Sequence, residues 1–283
     1  PCRAVFFLLR ERSRPVCYDM VMIIDAHAHI GFSGAIIADP ASLVMSMRKA
    51  GIDQAMVFAG RIHGCSTADL LEAIAPYRGT LHAVGSLTAG GGKRPSVAQV
   101  EEWLASGAIR GLKFYPGYEY FFPQDEWLSP FLGLLEKYRR PAIFHSGDTY
   151  SRVHVAKLKY AHPLHIDEVA VEHPQLRIVL AHLGYPWIVD AAEVLYKNKN
   201  VYADCSGFVY GAFSPAHRTH FRACWKEFVR ISSAPERILF GSDWPISDQS
   251  SYVRTMRQIA GVKAEPFYSK NAVELFGLDD SRT

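Results

Sequence analysis

The sequence lacks the features that mark a disulfide-stabilised or cysteine-ligated protein. It has only five cysteines in 283 residues, an odd number, and no two of them stand in a Cys-x-x-Cys spacing. A disulfide framework and a thiolate zinc site are therefore not expected, because both need paired cysteines at characteristic spacings. Unpaired cysteines are typical of a reducing compartment, so we expect the protein to be cytoplasmic.

Strong charge and long apolar runs are also absent. The formal net charge is only +3 and the lysines and arginines are scattered, so neither nucleic acid nor an anionic membrane is expected as a partner. No apolar run reaches the ~20 residues of a membrane-spanning helix. With 49% hydrophobic residues, the composition is typical of a globular protein. We expect a small-molecule substrate as the partner, and a homodimer if the chain associates.

The first nineteen residues differ in character from the rest. An apolar stretch over residues 6–9 is too short for a signal-peptide core, and three arginines follow it instead of preceding it. We expect residues 1–19 to be a loosely ordered N-terminal extension without a chemical role. A single domain is expected over residues 20–283.

From residue 20 onward, short runs rich in Val, Ile and Phe alternate with amphipathic stretches, the pattern of repeated βα units. The sequence predicts eight strands, over residues 21–25, 54–59, 81–87, 109–115, 141–146, 177–182, 200–205 and 237–242. Apolar spacing predicts crossover helices between them, including residues 40–50, 96–106, 125–139 and 186–197. Eight such units predict an α/β fold, a single-domain (β/α)8 TIM barrel with its active site at the C-terminal ends of the strands.

Candidate metal ligands and proton carriers stand where five of the predicted strands end. They are His27 with His29, Lys113, His145, His182 and Asp243. The two histidines at i and i+2 point to the same side of an extended chain, although such a pair in isolation is also consistent with ordinary loop residues. Because a polar residue that closes a hydrophobic run is costly unless it finds a partner, the whole set predicts one catalytic rim.

Several segments together resemble the amidohydrolase superfamily, in the branch that contains aminocarboxymuconate-semialdehyde decarboxylase and many metal-dependent hydrolases. The resemblance covers about residues 20–278 and lies, in order, in IIDAHAHI, GLKFYPGYEYFFPQD, PAIFHSGD, RIVLAHLGYPW, NVYADCSG, RILFGSDWP and NAVELFGL. It implies one divalent metal, usually zinc. The implied ligands are the paired histidines after the first strand, the histidine after the fifth and the aspartate after the eighth.

In this sequence the implied ligands are His27, His29, His145 and Asp243. Neutral imidazoles with a carboxylate suit Zn²⁺, with Mn²⁺ or Fe²⁺ as alternatives, and an open coordination position is typical of a catalytic site. Asp243 is also the candidate base that takes a proton from a metal-activated water. Its structural alternative is the N-cap of a helix that begins near Pro245.

His182 and Lys113 each have three interpretations. His182 could ligate a second metal, act as a free acid/base group as the resemblance to the decarboxylase favours, or be a hydrogen-bonded core residue. Lys113 matches the lysine that is carboxylated and bridges two metals in dihydroorotase and phosphotriesterase. Unmodified, it could hold a substrate carboxylate or be structural. We expect one metal and an unmodified lysine; a carboxylated Lys113 would make the site binuclear, with His145 and His182 on the second metal.

Candidate substrate-binding residues are Tyr115, Arg61, Arg152 and Trp244, in loops around the predicted rim. Aromatic walls suit a small, partly planar substrate, and either arginine could bind a carboxylate through two hydrogen bonds. Plain packing is the alternative for the aromatic residues, and a surface position is the alternative for the arginines.

These observations favour a metal-dependent hydrolase that acts on a small amide, lactone or ester through a metal-activated water. A non-oxidative decarboxylase of an unsaturated or aromatic carboxylic acid would use the same ligands, with His182 or Asp243 as the proton donor. A metal-binding barrel without turnover is the alternative from another class of function.

Overall fold

The computed structural model describes residues 21–31, 38–87, 94–149, 155–261 and 264–278. In this part of the chain, eight parallel strands form one sheet in sequential order. They are Ile24–His29 (β1), Gln54–Phe58 (β2), Leu81–Ser86 (β3), Leu112–Phe114 (β4), Ala142–Phe144 (β5), Ile178–Leu180 (β6), Val201–Asp204 (β7) and Ile238–Leu239 (β8). All eight predicted strands are confirmed, with shifted ends. The extension predicted over residues 1–19 lies outside the described residues.

Backbone hydrogen bonds close this sheet into a barrel. The amide of Asp243 donates to the carbonyl of His27, and the amide of His29 donates to the carbonyl of Trp244, both at 2.8 Å. These bonds join β1 to the residues that follow β8. The predicted single-domain (β/α)8 barrel is therefore confirmed.

Helices alternate with the strands. In the described residues they are Pro40–Ala50 (α1), Thr67–Ile74 (α2), Val97–Ala105 (α3), Ser129–Lys137 (α4), Leu164–Glu172 (α5), Ile188–Lys197 (α6), Pro215–Ser232 (α7), Gln249–Ile259 (α8) and Asn271–Phe276 (α9). The four named helix predictions are confirmed, although a short 3₁₀ turn over Glu126–Leu128 precedes α4. None of the helices in the described segments has both the length and the apolar character needed to cross a membrane.

Local signals fix the ends of the helices that follow β1 and β2. The side chain of Asp39 accepts a hydrogen bond from the amide of Ser42 at the start of α1, and Gly51 ends α1 with a φ of 73°. Ser66 and Asp69 form a reciprocal capping box at the start of α2. Asp, Ser and Gly are favoured at these positions because they satisfy the free backbone groups of a helix end or adopt a left-handed conformation.

The barrel interior is closed at the end opposite the candidate site. Leu275, Phe276 and Leu278 pack against inward-facing residues of the strands, among them Ile24 and Ile143. Three arginines that precede β4, β5 and β6 donate hydrogen bonds to carbonyls at residues 274–277; they are Arg110, Arg140 and Arg177. α9 therefore plugs the N-terminal end of the barrel, opposite the C-terminal rim.

Candidate metal centre and active site

Two histidines of β1 lie side by side at this rim. The strand runs to His29, beyond its predicted end at residue 25, so both histidines belong to the strand itself. Their ring centroids are 5.1 Å apart, and both residues are buried. The register of β1 against β2 shifts between Asp25 and Ala28, and such irregularities often re-aim side chains beside active sites. The structure thus brings the two imidazoles together, as their i, i+2 spacing predicts.

Asp243 faces both of these rings from the loop after β8. Its backbone is left-handed, with a φ of 65°. Its Oδ1 atom lies 3.1 Å from Nε2 of His29 and 3.6 Å from Nε2 of His27. The helix after it, α8, is capped by Asp248 instead. Burial raises the pKa of Asp243 to about 6, against the lowering effect of the Lys113 charge.

The hydrogen bonding of His27 indicates which kind of ligand can bind between this histidine and Asp243. Its Nδ1 lies 2.9 Å from Oδ2 of Asp204, and because an ionised carboxylate only accepts, Nδ1 carries the ring proton. Nε2 then presents a lone pair, and this buried atom has no hydrogen-bond partner among the described residues. A lone pair and the Asp243 carboxylate facing each other repel unless positive charge lies between them. The donor set therefore fits a divalent metal ion.

His145 and His182 lie beside this group. His145 follows β5 directly, and its ring centroid is 5.2 Å from that of His182. The donor atoms of His27, His29 and Asp243 all lie within 4.8 Å of one another, and His145 is outside that group. Nε2 of His145 is nevertheless buried without a hydrogen-bond partner in the described residues. A role as fourth ligand stays a prediction.

Burial makes the histidines of the site weak bases. It lowers the pKa of His29 and of His145 to about 3, with the charge of Lys113 as the next cause. Burial also takes the pKa well below its ordinary value at three further histidines, His27, His63 and His182. Since only a neutral imidazole can donate its lone pair to a metal, these rings are in the protonation state that metal binding requires.

Lys113 stands in β4 and is only 1% exposed. Its ammonium lies 5.3 Å from the ring centroid of Phe58 and 5.5 Å from that of Tyr115, and it has no hydrogen-bond partner among the described residues. Burial lowers its pKa to about 8, opposed by the charges of Asp204 and Asp243. A buried lysine without a paired carboxylate is uncommon. At this position, the side chain of Lys113 can act as an ammonium that binds an anion, or as an amine that becomes carboxylated.

The structure describes the side chains of two of the four predicted substrate-binding residues, Tyr115 and Trp244. Tyr115 lines the cavity above the site, but its hydroxyl donates to the carbonyl of Ala59 at 2.7 Å. Trp244 is buried and is not one of the described residues that line the cavity. The side chain of Arg61 and the whole of Arg152 lie outside the described residues.

Sequence analysis missed three residues at this site: His63, Asp204 and Ser206. Asp204 ends β7, so the strand-end criterion that selected the other candidates would also have found it. His63 lies in a short turn after β2, and its ring stacks on that of His29 with the centroids 4.1 Å apart. Both nitrogens of His63 are buried without a hydrogen-bond partner in the described segments. No pattern in the sequence distinguishes this histidine from the surface ones.

Asp25 lies in β1, two residues before His27. Its carboxylate accepts hydrogen bonds from the backbone amides of His27 and Ser242 and from the side chain of Gln249. It therefore ties β1 to the segment after β8, while Asp204 is the acceptor for the His27 ring.

A cavity of about 230 Å³ opens above these groups. Histidines, Lys113, Asp148 and Asp243 form its polar part. Much of the remaining wall is aromatic or aliphatic, formed by Ile62, Tyr118, Tyr185, Phe208, Val209, Tyr210 and Ile246. A small volume with convergent polar groups and an apolar wall is typical of a site for a small molecule.

A family model described as amidohydrolase matches residues 24–278. The chain therefore belongs to the amidohydrolase family, which confirms the resemblance found in its segments. No curated protein matches the chain.

Solved structures share the fold at low sequence identity. A probable 2-pyrone-4,6-dicarboxylic acid hydrolase from Acinetobacter baumannii is 16% identical, covering 90% of this chain and 99% of its own, with a TM-score of 0.67. An amidohydrolase from Burkholderia multivorans with bound zinc is 17% identical (91% and 100% covered, TM-score 0.66). A 2,6-dihydroxybenzoate decarboxylase from Rhizobium is 16% identical (92% and 100% covered, TM-score 0.65). Hydrolases and decarboxylases thus occur on this fold.

Proposed function

We propose that this amidohydrolase is a metal-dependent hydrolase that cleaves a small amide, lactone or ester with one divalent ion, preferentially Zn²⁺. The observation that carries the proposal is the position of Asp243, whose Oδ1 faces Nε2 of His29 at 3.1 Å and Nε2 of His27 at 3.6 Å. We assign these three residues as ligands, with His145 as the fourth. The cavity above them leaves room for a water molecule and a substrate, as a catalytic centre requires.

A divalent ion held by these residues would polarise a substrate carbonyl and bring the pKa of a water molecule close to neutrality. Asp243 accepts one proton of that water as the water oxygen bonds to the carbonyl carbon. The bond from that carbon to the leaving nitrogen or oxygen then breaks, and the proton passes to the leaving atom. Oδ1 of Asp243 faces the two histidine rings, so the other carboxylate oxygen is the atom that accepts this proton.

The other polar groups of the cavity are assigned to the substrate. His182 is a second proton carrier, and the buried Lys113 ammonium binds an anionic or strongly polar substituent. His63 has two nitrogens without hydrogen-bond partners in the described part of the chain, and we assign it to hydrogen bonding with the substrate. The aromatic wall suits a planar molecule, and the volume of about 230 Å³ limits the substrate to a small one.

A decarboxylase of an unsaturated or aromatic carboxylic acid is the second candidate. Lys113 favours it, since its buried ammonium, which has no hydrogen-bond partner among the residues that the structure describes, could hold the carboxylate that is lost. The chain would then bind the metal with the same residues and deliver a proton to carbon from His182 or Asp243. A metal-binding barrel without turnover is the third candidate. The buried polar groups of the cavity that lack a hydrogen-bond partner within the described segments argue against it.

Two assays on metal-loaded protein separate these functions. One measures acid release from a panel of small lactones, esters and amides, and the other measures carbon dioxide release from aromatic and unsaturated carboxylic acids. We expect hydrolysis that disappears in Asp243→Asn and no release of carbon dioxide. Carbon dioxide release without hydrolysis would replace this proposal by the decarboxylase. Bound metal with turnover in neither panel would favour the non-catalytic barrel.

A further inference from the structure

Four hydrogen bonds converge on the buried carboxylate of Asp204. Its Oδ2 accepts from Nδ1 of His27 at 2.9 Å. Its Oδ1 accepts from the backbone amide of His182 at 3.2 Å, and from both the amide and the hydroxyl of Ser206. An aspartate so fully occupied at the end of a barrel strand orients the residues around it instead of contacting a substrate.

Ser206 extends this network to the ring of His182. The serine has one hydroxyl proton, which it donates to Asp204. Its oxygen, 2.9 Å from Nδ1 of His182, must therefore act as an acceptor in that contact. Nδ1 of His182 consequently carries the ring proton, and in the neutral ring Nε2 has a free lone pair.

The backbone around His182 also constrains the orientation of its ring. His182 and Leu183 have φ values of 62° and 48°, a left-handed conformation that is unfavourable for residues other than glycine. Gly207 passes so close to the ring that a Cβ at this position would lie 2.5 Å from Nδ1 of His182. Strained backbone held by its surroundings is typical of functional positions.

The donor atoms of His27, His182 and Asp204 also lie within 4.8 Å of one another. They do not form a second metal site in this network, because both ring Nδ1 atoms carry protons that are donated to Asp204 and Ser206. The group is a set of hydrogen bonds behind the proposed metal centre.

We propose that Asp204 and Ser206 are positioning residues that hold His182 as the Nδ1–H tautomer, with Nε2 as a proton acceptor. His182 then receives a proton before it can give one, so it is not the resting proton donor of a decarboxylation. This role in proton transfer rests on the proposed function, whereas the tautomer does not. Asp204 in addition orients His27, whose Nδ1 also lies 3.1 Å from the hydroxyl oxygen of Ser206.

Nuclear magnetic resonance of ¹⁵N-labelled, metal-free protein tests the tautomer directly. Long-range proton–nitrogen spectra distinguish Nδ1–H from Nε2–H rings, and loss of a signal in His182→Asn assigns it. We expect Nδ1–H for His182 in the wild type and a mixture of tautomers in Ser206→Ala. Ser206→Ala should lower kcat about 10- to 100-fold with the metal content unchanged, and Asp204→Asn should also weaken metal binding about 10- to 100-fold.

Two further variants distinguish a specific effect on the His182 ring from a general loss of structure. Ser232→Ala removes a buried hydroxyl that has no hydrogen-bond partner in the described residues and should leave both readouts unchanged. Gly207→Ala should displace the His182 ring and change its tautomer without touching Ser206. An Nε2–H ring in the wild type, or an Nδ1–H ring that persists in Ser206→Ala, would overturn the proposal. If no hydrolysis is found, the spectra still decide the tautomer, so the two proposals fail separately.

Discussion

The Nε2 atom of His27 lies 3.6 Å from the Oδ1 atom of Asp243, and no hydrogen bond joins these two atoms. Asp204 fixes this relationship from behind, because it holds the proton of the His27 ring on Nδ1. In metal-free protein two electron-rich atoms therefore face each other in a buried cavity. A bound cation would turn this repulsion into attraction, so the folded chain should gain stability when a divalent metal binds.

Divalent metal should stabilise the folded chain. A ligand that binds only the folded state adds about 2.7 kcal/mol at a concentration of 100 Kd. We expect a higher Tm when Zn²⁺ is added to metal-free wild type, and little change in Asp243→Asn, which keeps the volume of the side chain but loses its charge. Calorimetry measures the Tm of both proteins with and without Zn²⁺. The control is Asp248→Asn, at the N-cap of α8, which should keep the wild-type response to the metal. An equal gain in Asp243→Asn would place the metal elsewhere.

His182→Asn should lower kcat by about 10²- to 10⁴-fold, the range for loss of an acid/base group. The metal content should stay at the wild-type value, because we assign His182 to proton transfer and not to the metal. Steady-state kinetics and metal analysis of the same preparation provide the two readings. Loss of metal together with activity would instead make His182 a ligand.

Lys113 gives a pH dependence whose sign follows from burial. Its pKa is lowered to about 8 from 10.5, so between these two values the unfolded chain binds more protons than the folded one. Its contribution should therefore make the folded state more stable as pH rises through this window, by about 1.4 kcal/mol per pKa unit of difference at most. Denaturant unfolding of metal-free protein should show this rise in the wild type and not in Lys113→Met. The exposed Lys226→Met variant should keep the wild-type rise.

His63→Phe should stabilise the metal-free protein and weaken substrate binding. An unsatisfied buried polar group costs about 1–3 kcal/mol. Both nitrogens of His63 lack a partner among the described residues, so an apolar ring of similar shape should remove this cost. KM should rise while the metal content is unchanged. A stable variant with unaltered KM would remove His63 from the substrate site.

The plug at the far end of the barrel should matter for stability alone. Leu275 is 1% exposed inside the barrel, so Leu275→Ala should lower the free energy of unfolding by about 2–5 kcal/mol. Leu164 on α5 is 51% exposed, and Leu164→Ala should cost less than about 0.5 kcal/mol. Denaturant titrations compare the two. A similar cost in both variants would contradict the packing role of α9.

Much of this fold was predictable because each strand is a short apolar run with a clear boundary. The eight strands and the order of the helices follow from periodicity, and α1 begins and ends where the sequence predicts. The end of β1 was placed too early because His27 and His29 are polar, and a polar residue in a buried strand reads as the start of a loop. The buried partners that make these histidines acceptable are distant in sequence.

The candidate site was predictable only in part, because several of its contacts join residues that are distant in sequence. His27, His29 and Asp243 follow from strand ends and family resemblance, and Asp204 fits the same criterion but was overlooked. The stacking of His63 on His29 depends on how the loop after β2 folds over the rim. The contact of Ser206 with His182 likewise depends on two neighbouring loops, which no local pattern specifies.

Metal stoichiometry, measured by mass spectrometry on wild-type protein purified without added metal, tests the central claim most directly. The intact mass of the same sample reports whether Lys113 is carboxylated. We predict one divalent ion per chain, an unmodified Lys113, and loss of the ion in Asp243→Asn. Two ions with a carboxylated lysine would contradict the single-metal site, and a wild-type chain that binds no divalent metal would contradict the account as a whole.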